Sequence, residues 1–334
     1  MRDGVLNINK PGGWTSPDVV ARVRSLLKVK KTGHAGTLDP QATGVLPVCF
    51  GKGTKVVEYL MVMEKEYRAV MRLGEETDTE DATGKFIRRS GEVTLSDDQV
   101  REALRAFVGS YDQLPPLYSA IKVKGLPLYK AARAGLQVDR EARRVTIHQI
   151  DYEGRSGKDV WFSVVCSKGT YIRTLCADIG RKLAVGAHLL SLCRTRAGAF
   201  RLEDAMDLAG LEARVAEGDW SHTAYSLDRV LQHFPEISLD RRWEERACHG
   251  GPVPLFECGG SESLSKMTGL VRVRGEQRGL LALAKRVEGG PLGAYLKIEK
   301  VLVDTPEEML QPLNGAKRSL RAGPINQGTY GVIS

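Results

Sequence analysis

No apolar run in the 334-residue chain approaches the roughly 18 to 20 residues that a membrane-spanning helix needs. The opening, MRDGVLNINKPGG, holds no long apolar segment either, so no membrane is expected as a partner and a cytoplasmic location is expected. The six cysteines (Cys49, Cys166, Cys176, Cys193, Cys248 and Cys258) never form a C-x-x-C pair. Most sit in apolar contexts where cysteine behaves as a small hydrophobe, which indicates neither structural zinc nor a disulfide framework. H-E-x-x-H, G-x-S-x-G and the dinucleotide fingerprint are missing, and GKGT at 51–54 lacks the leading glycine at the phosphate-loop spacing. The expectation is chemistry without a cofactor and without a metal.

What is present begins with size and charge. A 42% hydrophobic content can fill one large core or two smaller ones, and the length suggests about two domains. A formal charge of +8 favours a polyanionic partner, although net charge alone also fits proteins that bind nothing acidic. Its distribution says more. Lys122, Lys124, Lys130, Arg133, Arg140, Arg143 and Arg144 are set against only Asp139 and Glu141, and Lys168, Arg173, Arg181, Lys182, Arg194, Arg196 and Arg201 against only Asp178. Two such stretches suit a phosphate backbone, where each neutralised phosphate releases condensed counterions. The alternative is a pair of solvated faces.

The stretch 33–55, GHAGTLDPQATGVLPVCFGKGTK, sets three glycines, a histidine and an aspartate ahead of an apolar run. Pro40 pushes Asp39 toward an extended backbone, so a carboxylate sits on a stiff, glycine-flanked loop that feeds a strand at 45–50. That arrangement presents a reactive group; an Asx turn, in which Asp39 only bonds local amides, is the plainer alternative.

Along the chain, alternation at 5–9 predicts a strand. Ser16 is a plausible N-cap, with Pro17 in the first helical position and Val19, Val20, Val23, Leu26 and Leu27 as the apolar stripe. Thr54 can cap a second helix to about residue 63, and 67–73 reads as a strand. The acidic segment TDTEDATGK, 77–85, lacks the ligand spacing of a calcium loop and reads as a hairpin-like connection. Ser96 caps a helix carrying Val100, Leu104 and Phe107. The stretch LPPLYSAIKVKGLPLYKAARAG interleaves lysines with tyrosines, as suits RNA, where rings stack on bases and ammonium groups meet phosphates; a loop with buried tyrosines is the alternative. Strands at 145–152 and 160–166 follow, the second interior by its apolar run, and then KGTYIRTLCADIGRKL turns into a helix. Helices among mainly hairpin-compatible strands suggest an α+β core. After about residue 240 a linker-like HGGPVPL leads to short β-type runs at 269–274, 280–285 and 294–303, which suit a small barrel-like unit.

A single working carboxylate in a partly buried site must be kept ionised, which requires a nearby cation. Arg173, in KGTYIRTL, is the best candidate on sequence logic, although a helical arginine more often faces solvent. His34 fits a satisfied loop histidine, a metal ligand or a polar contact to RNA; no second histidine at ligand spacing supports the metal.

NKPGGWTS, the 33–55 stretch, KEYRA, TDTEDATG, PPLYSAIKVKGLPLYKAAR, KGTYIRTL and GAHLLSLCRT follow one another in an order that resembles the TruB family of bacterial tRNA pseudouridine-55 synthases over about the first 200 residues. The resemblance implies an α+β pseudouridine synthase fold, with a mixed, mainly antiparallel central sheet flanked by helices. It places the catalytic domain at 1–245 with an RNA-binding insertion at about 115–143, a small β-rich PUA-like RNA-binding domain at 246–311, and a tail at 312–334. It implies Asp39 as the catalytic aspartate, Tyr67 as the active-site tyrosine and Arg173 as the arginine paired with the aspartate. His34 matches a histidine that contacts RNA and Leu192 a leucine packed on the target base. Lys10, Tyr171, Lys122 and Arg194 complete the expected substrate-binding set. Where the family often has two arginines after the leucine, this chain has Cys193 before Arg194.

The implied reaction isomerises the T-loop uridine 55 of tRNA, and the partner is the T-arm stem-loop, bound by a monomer. The nucleotide must leave the stack before a carboxylate can reach it. Asp39 then attacks C1′ or removes the C2′ proton; both remain open. A synthase acting on another RNA, and a tRNA-binding folding factor without catalysis, are the rival readings.

Overall fold

A computed structural model describes residues 3–118, 139–258, 269–289 and 293–303, and the backbone of 122–123 and 126–127. The chain divides into two compact units, Met1–His233 and Phe234–Ser334. In the first, chain order runs β1 (Gly4–Lys10), α1 (Ser16–Leu27), β2 (Thr32–His34), β3 (Thr43–Phe50), α2 (Val57–Met61) and β4 (Lys65–Leu73). The hairpin β5 (Glu75–Thr77) and β6 (Phe86–Arg89) leads to α3 (Asp97–Arg105) and β7 (Gly109–Gln113). A short hairpin, β8 (Lys122–Val123) and β9 (Leu126–Pro127), precedes β10 (Arg143–Ser156), β11 (Asp159–Cys166) and α4 (Ile172–Lys182). Then come β12 (Ala187–Ala197), β13 (Phe200–Arg201), α5 (Leu208–Glu217) and α6 (Leu227–Val230).

Seven strands form a sheet in the order β1-β3-β12-β4-β11-β10-β7, with β2 added on β3 and β13 on β12. The pairs are antiparallel except β3 with β12, which touch in parallel at Thr43–Cys193 and Gly44–Arg194. The expected mixed, mainly antiparallel α+β sheet is therefore present. KEYRAVMRL and DVWFSVVC alternate because their inward residues, from Tyr67 to Leu73 and from Val160 to Cys166, join the core that holds Val100, Leu104, Leu175 and Ile179 of the helices. Burying each such aliphatic side chain stabilises by about 1.5–3 kcal/mol. β3 is buried along nearly its whole length, between β1 and β12 in the sheet and against Val19, Val23 and Leu211.

Two helix starts differ from expectation. Thr15, not Ser16, caps α1: its hydroxyl accepts from the Asp18 amide, and Asp18 bonds back to the Thr15 amide. Ser16 is buried and turned elsewhere. After β3 the chain makes a 3₁₀ turn, Gly51–Val56, before the short α2, and the Thr54 hydroxyl donates to Gly51 O at 2.8 Å instead of capping.

The second unit carries β14 (Glu236–Leu239), α7 (Arg241–Cys248), β15 (Val253–Pro254), β16 (Leu270–Gly275), β17 (Gly279–Val287) and β18 (Tyr295–Val301). Its sheet order is β14-β16-β17-β18-β15, over a core that includes Ile237, Ala247, Val271, Val273 and Leu281. The expected boundary at 245/246 moves to 233/234. β14 pairs with β16, and α7 packs on this sheet, so HGGPVPL lies within the second unit and supplies β15. The expected tail at 312–334 and most of the expected insertion fall outside the described residues. None of the six cysteines is in a disulfide. Among the described residues no helix is long and apolar enough to cross a membrane.

Candidate active site

The loop between β2 and β3 is held from below before it presents anything. Ser16 Oγ accepts from the Leu38 amide at 2.9 Å and donates to Leu38 O at 3.1 Å, a two-point clamp on the residue before Asp39. On the other side, Lys10 Nζ donates to the carbonyls of Pro40, Pro11 and Trp14 at 2.9, 2.8 and 2.6 Å, and the Gly13 amide also reaches Pro40 O. The Ala42 amide donates to Asp39 O at 3.1 Å, closing a β-turn with proline in its second position. Asp39 opens that turn, but its side chain is not used in an Asx turn. It reaches across to helix α4.

There Arg173 Nε lies 2.9 Å from Asp39 Oδ2, and Nη2 donates to Asp39 Oδ1 at 3.4 Å. Nη2 also donates to Tyr118 O at 3.0 Å, Nη1 donates to Thr79 O at 3.1 Å, and Nη1 is 3.7 Å from Asp81 Oδ2. The Arg173 side chain is 5% exposed whereas that of Asp39 is 44% exposed. A fixed, buried cation thus holds a carboxylate with one open edge. Burial raises the Asp39 pKa above the ordinary carboxylate value; Arg173 opposes the shift, and Asp81 adds to it.

Arg194 runs beneath the same loop. Its Nε donates to Val45 O at 2.7 Å and its Nη2 to Gly36 O at 2.9 Å, and its backbone meets Gly44 in the parallel β3–β12 contact. Tyr67 is Arg194's cross-strand partner on β4 and is 8% exposed. Burial raises the Tyr67 pKa, Arg194 opposes the shift, and the Asp39 charge adds to it. The hydroxyl therefore stays protonated at neutral pH. His34, on β2, has a buried Nδ1 with no hydrogen-bond partner among the described residues. Burial and the nearby Arg194 lower its pKa, so its ring is neutral at pH 7.

Asp39, Arg173, Arg194, Tyr67 and His34 are thus brought together. Two expected RNA contacts need correction. Lys10 is 0% and Arg194 1% exposed, and both are committed to backbone carbonyls, so these cations brace the Asp39 loop from inside and present no charge to a phosphate. The basic stretch 168–201 shrinks accordingly. Arg173 and Arg194 are internal, Arg196 pairs with Glu66 and Arg181 with Asp178, while Lys168 and Lys182 stand exposed. Leu192 is half-buried against the main core. Tyr171 precedes α4, and its backbone is gripped by Gln113, which accepts from the Tyr171 amide at 2.8 Å and donates to its carbonyl at 3.0 Å. Lys122 lies in β8, and its side chain is outside the described residues.

Sequence reasoning missed the contribution of Thr79, Glu80 and Asp81. Asp81 Oδ1 accepts from the Thr83 amide and from the hydroxyls of Thr79 and Thr83, which leaves Oδ2 to face Arg173. The alternation of threonine with acid in TDTEDATG was the available signal: it builds a tip that bonds to itself and keeps one carboxylate aimed outward. Among the described residues no group of three or more His, Cys, Asp or Glu is placed to hold a metal ion.

The architecture around this site is that of the pseudouridine synthases. A solved Cbf5-Nop10-Gar1 complex contains a chain 30% identical with a TM-score of 0.71, the match covering 92% of this chain and 87% of that one. An H/ACA RNP bound to a substrate RNA containing 2′-deoxyuridine contains one 28% identical with a TM-score of 0.68, covering 91% and 86%. The model for the TruB family pseudouridylate synthase N-terminal domain matches residues 24–172, and that for the tRNA pseudouridylate synthase B C-terminal domain matches 173–235. The tRNA pseudouridine synthase B of Clostridium perfringens strain 13 is 41% identical over 303 residues, 90% of this chain and 99% of the relative. That of Bacillus licheniformis is 44% identical over 243 residues, covering 71% and 78%. The chain belongs to the TruB family of pseudouridylate synthases.

Proposed function

We propose that this protein converts uridine 55 in the T-loop of tRNA to pseudouridine, acting as a monomer in the cytoplasm with Asp39 as nucleophile or base. The observation that carries this is the Asp39–Arg173 pair, a carboxylate with one open edge held 2.9 Å from a buried guanidinium. Isomerisation breaks the N1–C1′ bond, turns the uracil, joins C5 to C1′ and moves the C5 proton to solvent as N1 takes one up. Nothing is added or removed overall, so the residues at hand suffice. The target nucleotide is extruded to reach Asp39. As the glycosidic bond breaks, positive charge grows on the sugar, where an ionised carboxylate lowers the barrier. Arg173 keeps Asp39 ionised against the burial that raises its pKa. Tyr67, protonated and buried beside Arg194, is suited to lie under the turning base, with Leu192 and neutral His34 on the nucleotide-facing side. The second unit is β-rich, the matches to the RNP chains cover 91–92% of this chain, and this unit serves as a PUA-like RNA-binding domain.

The test is tritium release from C5 of labelled uridine in a T-arm transcript and, in parallel, in ribosomal RNA fragments. Release from the T-arm by the wild-type chain, and none by Asp39→Asn, is expected. Release only from the ribosomal fragments overturns the substrate, and binding of the T-arm without release by the wild type favours the folding-factor reading.

A further inference from the structure

Glu80 stands between Thr79 and Asp81, both of which meet Arg173, yet it does not itself touch Asp39. Its backbone φ is +63°, a left-handed conformation that a side chain rarely adopts. Its carboxylate Oε2 accepts from Thr174 Oγ1 at 2.6 Å, and Thr174, 1% exposed, is the neighbour of Arg173 in the first turn of α4. Its carbonyl accepts from the Leu189 amide at 3.0 Å, and the Ala82 amide returns a bond to Leu189 O at 2.9 Å. The hairpin tip is therefore pinned to β12 through its backbone. It is pinned to α4 at two consecutive residues, to Arg173 by Thr79 and Asp81 and to Thr174 by Glu80.

The left-handed residue has a geometric consequence. It reverses the chain between Thr79 and Asp81, so that a carbonyl from one and a carboxylate from the other converge on the same Arg173 Nη1. An extended residue at 80 would instead set the Thr79 carbonyl across the strand, in the hydrogen-bonding plane, and the Asp81 side chain roughly perpendicular to it. Among the described residues, the Glu80 side chain is the part of that reversal that hydrogen-bonds the helix outside Arg173.

We propose that Glu80 is a positioning residue for the isomerisation: through Thr174 it locks the 79–81 tip onto the first turn of α4, so that Arg173 meets Asp39 in one orientation. The inference rests on the reaction proposed above. Glu80 faces Arg173, Asp178 and Arg181 as well as Thr174, while the charges that act most on Asp39 are those of Arg173, Asp81 and Lys10. Its influence on Asp39 therefore travels through the guanidinium.

Glu80→Gly permits the positive φ and deletes only the side chain. In the full-length protein with T-arm RNA, its single-turnover rate is expected to fall about 10- to 100-fold, while Kd for the RNA stays within about twofold of wild type. The acid limb of the rate should move to higher pH, because a loosened Arg173 opposes protonation of Asp39 less. Thr174→Val should reproduce both effects, and the double variant should lose no more than the larger single loss. Glu80→Gln, which keeps an oxygen for the Thr174 hydroxyl, should restore most of the rate. A Glu80→Gly protein with the wild-type rate and acid limb, or with a loss confined to melting temperature, overturns the inference. Should Glu80→Gly not fold, Thr174→Val decides by the same readings. A wild-type chain inactive on tRNA would sink the proposed reaction instead. The NMR resonance of Arg173 Nε–H then decides alone: displacement in Glu80→Gly is expected, and an unchanged position overturns the inference.

Discussion

Lys10 Nζ lies 2.9 Å from the carbonyl oxygen of Pro40, so a fully buried ammonium fixes the residue that follows Asp39. The same nitrogen holds two further carbonyls, of Pro11 and Trp14, and thereby ties the end of β1 to the turn before α1 and to the site loop.

Lys10→Met should therefore act on folding and on rate, not on RNA affinity. Three carbonyls lose a charged donor in a buried setting, and a loss of about 2–4 kcal/mol is expected from urea unfolding. The folded fraction should bind T-arm RNA as the wild type does and turn it over more slowly. An affinity loss with unchanged stability would show that Lys10 meets RNA after all.

The acid limb of kcat/KM should lie above the ordinary aspartate range, because the Asp39 pKa is raised by burial and by Asp81. Asp81→Asn removes one raising charge and should move that limb to lower pH, while the rate falls as Arg173 loses an ion-pair partner at 3.7 Å. Arg173→Met should move it the other way. The same raised pKa has a consequence for stability. Folded Asp39 holds its proton at a pH where the unfolded chain has lost it, so the group favours folding in acid and that contribution disappears as pH rises through the folded pKa. Asp39→Asn should accordingly be at least as stable as wild type near pH 7.

How much of this was legible beforehand depends on the distance over which each signal acts. The period-two alternation of KEYRAVMRL and DVWFSVVC is local, and those strands were readable to within two residues. The pairing of Asp39 with Arg173 spans 134 residues; sequence logic offered Arg173 only as a candidate cation, and the family resemblance linked the two. Lys10 and Arg194 look in sequence like any surface cation. Nothing local reveals that carbonyls surround them, which is why both were expected on the RNA face. Asp81 was hidden differently, in a tip whose threonines make it resemble a simple turn. The boundary moved because β14 declares its allegiance only by pairing with β16, more than thirty residues downstream.

Gln113, 1% exposed, holds both backbone polar groups of Tyr171 at the start of α4 and also donates to the Tyr111 hydroxyl at 2.6 Å. Gln113→Leu is close in size and strips all three bonds. A loss of about 2–3 kcal/mol is expected, with a fall in rate because the first turn of α4 carries Arg173. If melting and rate are both unchanged, the amide of Gln113 does not position that turn.

Gly44 is the point where β3 and β12 come closest in parallel. A Cβ there would lie 2.3 Å from Arg194 O and 2.8 Å from Arg194 N, at a φ of +100°. Those neighbours are backbone atoms in the sheet, and they cannot swing aside as a flexible side chain would. Gly44→Ala must therefore push β12 away and withdraw Arg194 from Val45 O and Gly36 O, undoing the brace under Asp39. The expected cost is about 3–5 kcal/mol, from strain and clash together. That corresponds to a fall of roughly 10 °C in melting temperature for a unit of this size. Gly157 is the control: it also has positive φ, at +57°, but nothing lies within 4 Å of its added Cβ. Gly157→Ala should cost only the conformational part, about 1–2 kcal/mol, and leave the rate intact. Equal losses in the two variants would mean that the strand approach at Gly44 is loose enough to yield, and that Arg194 does not depend on it.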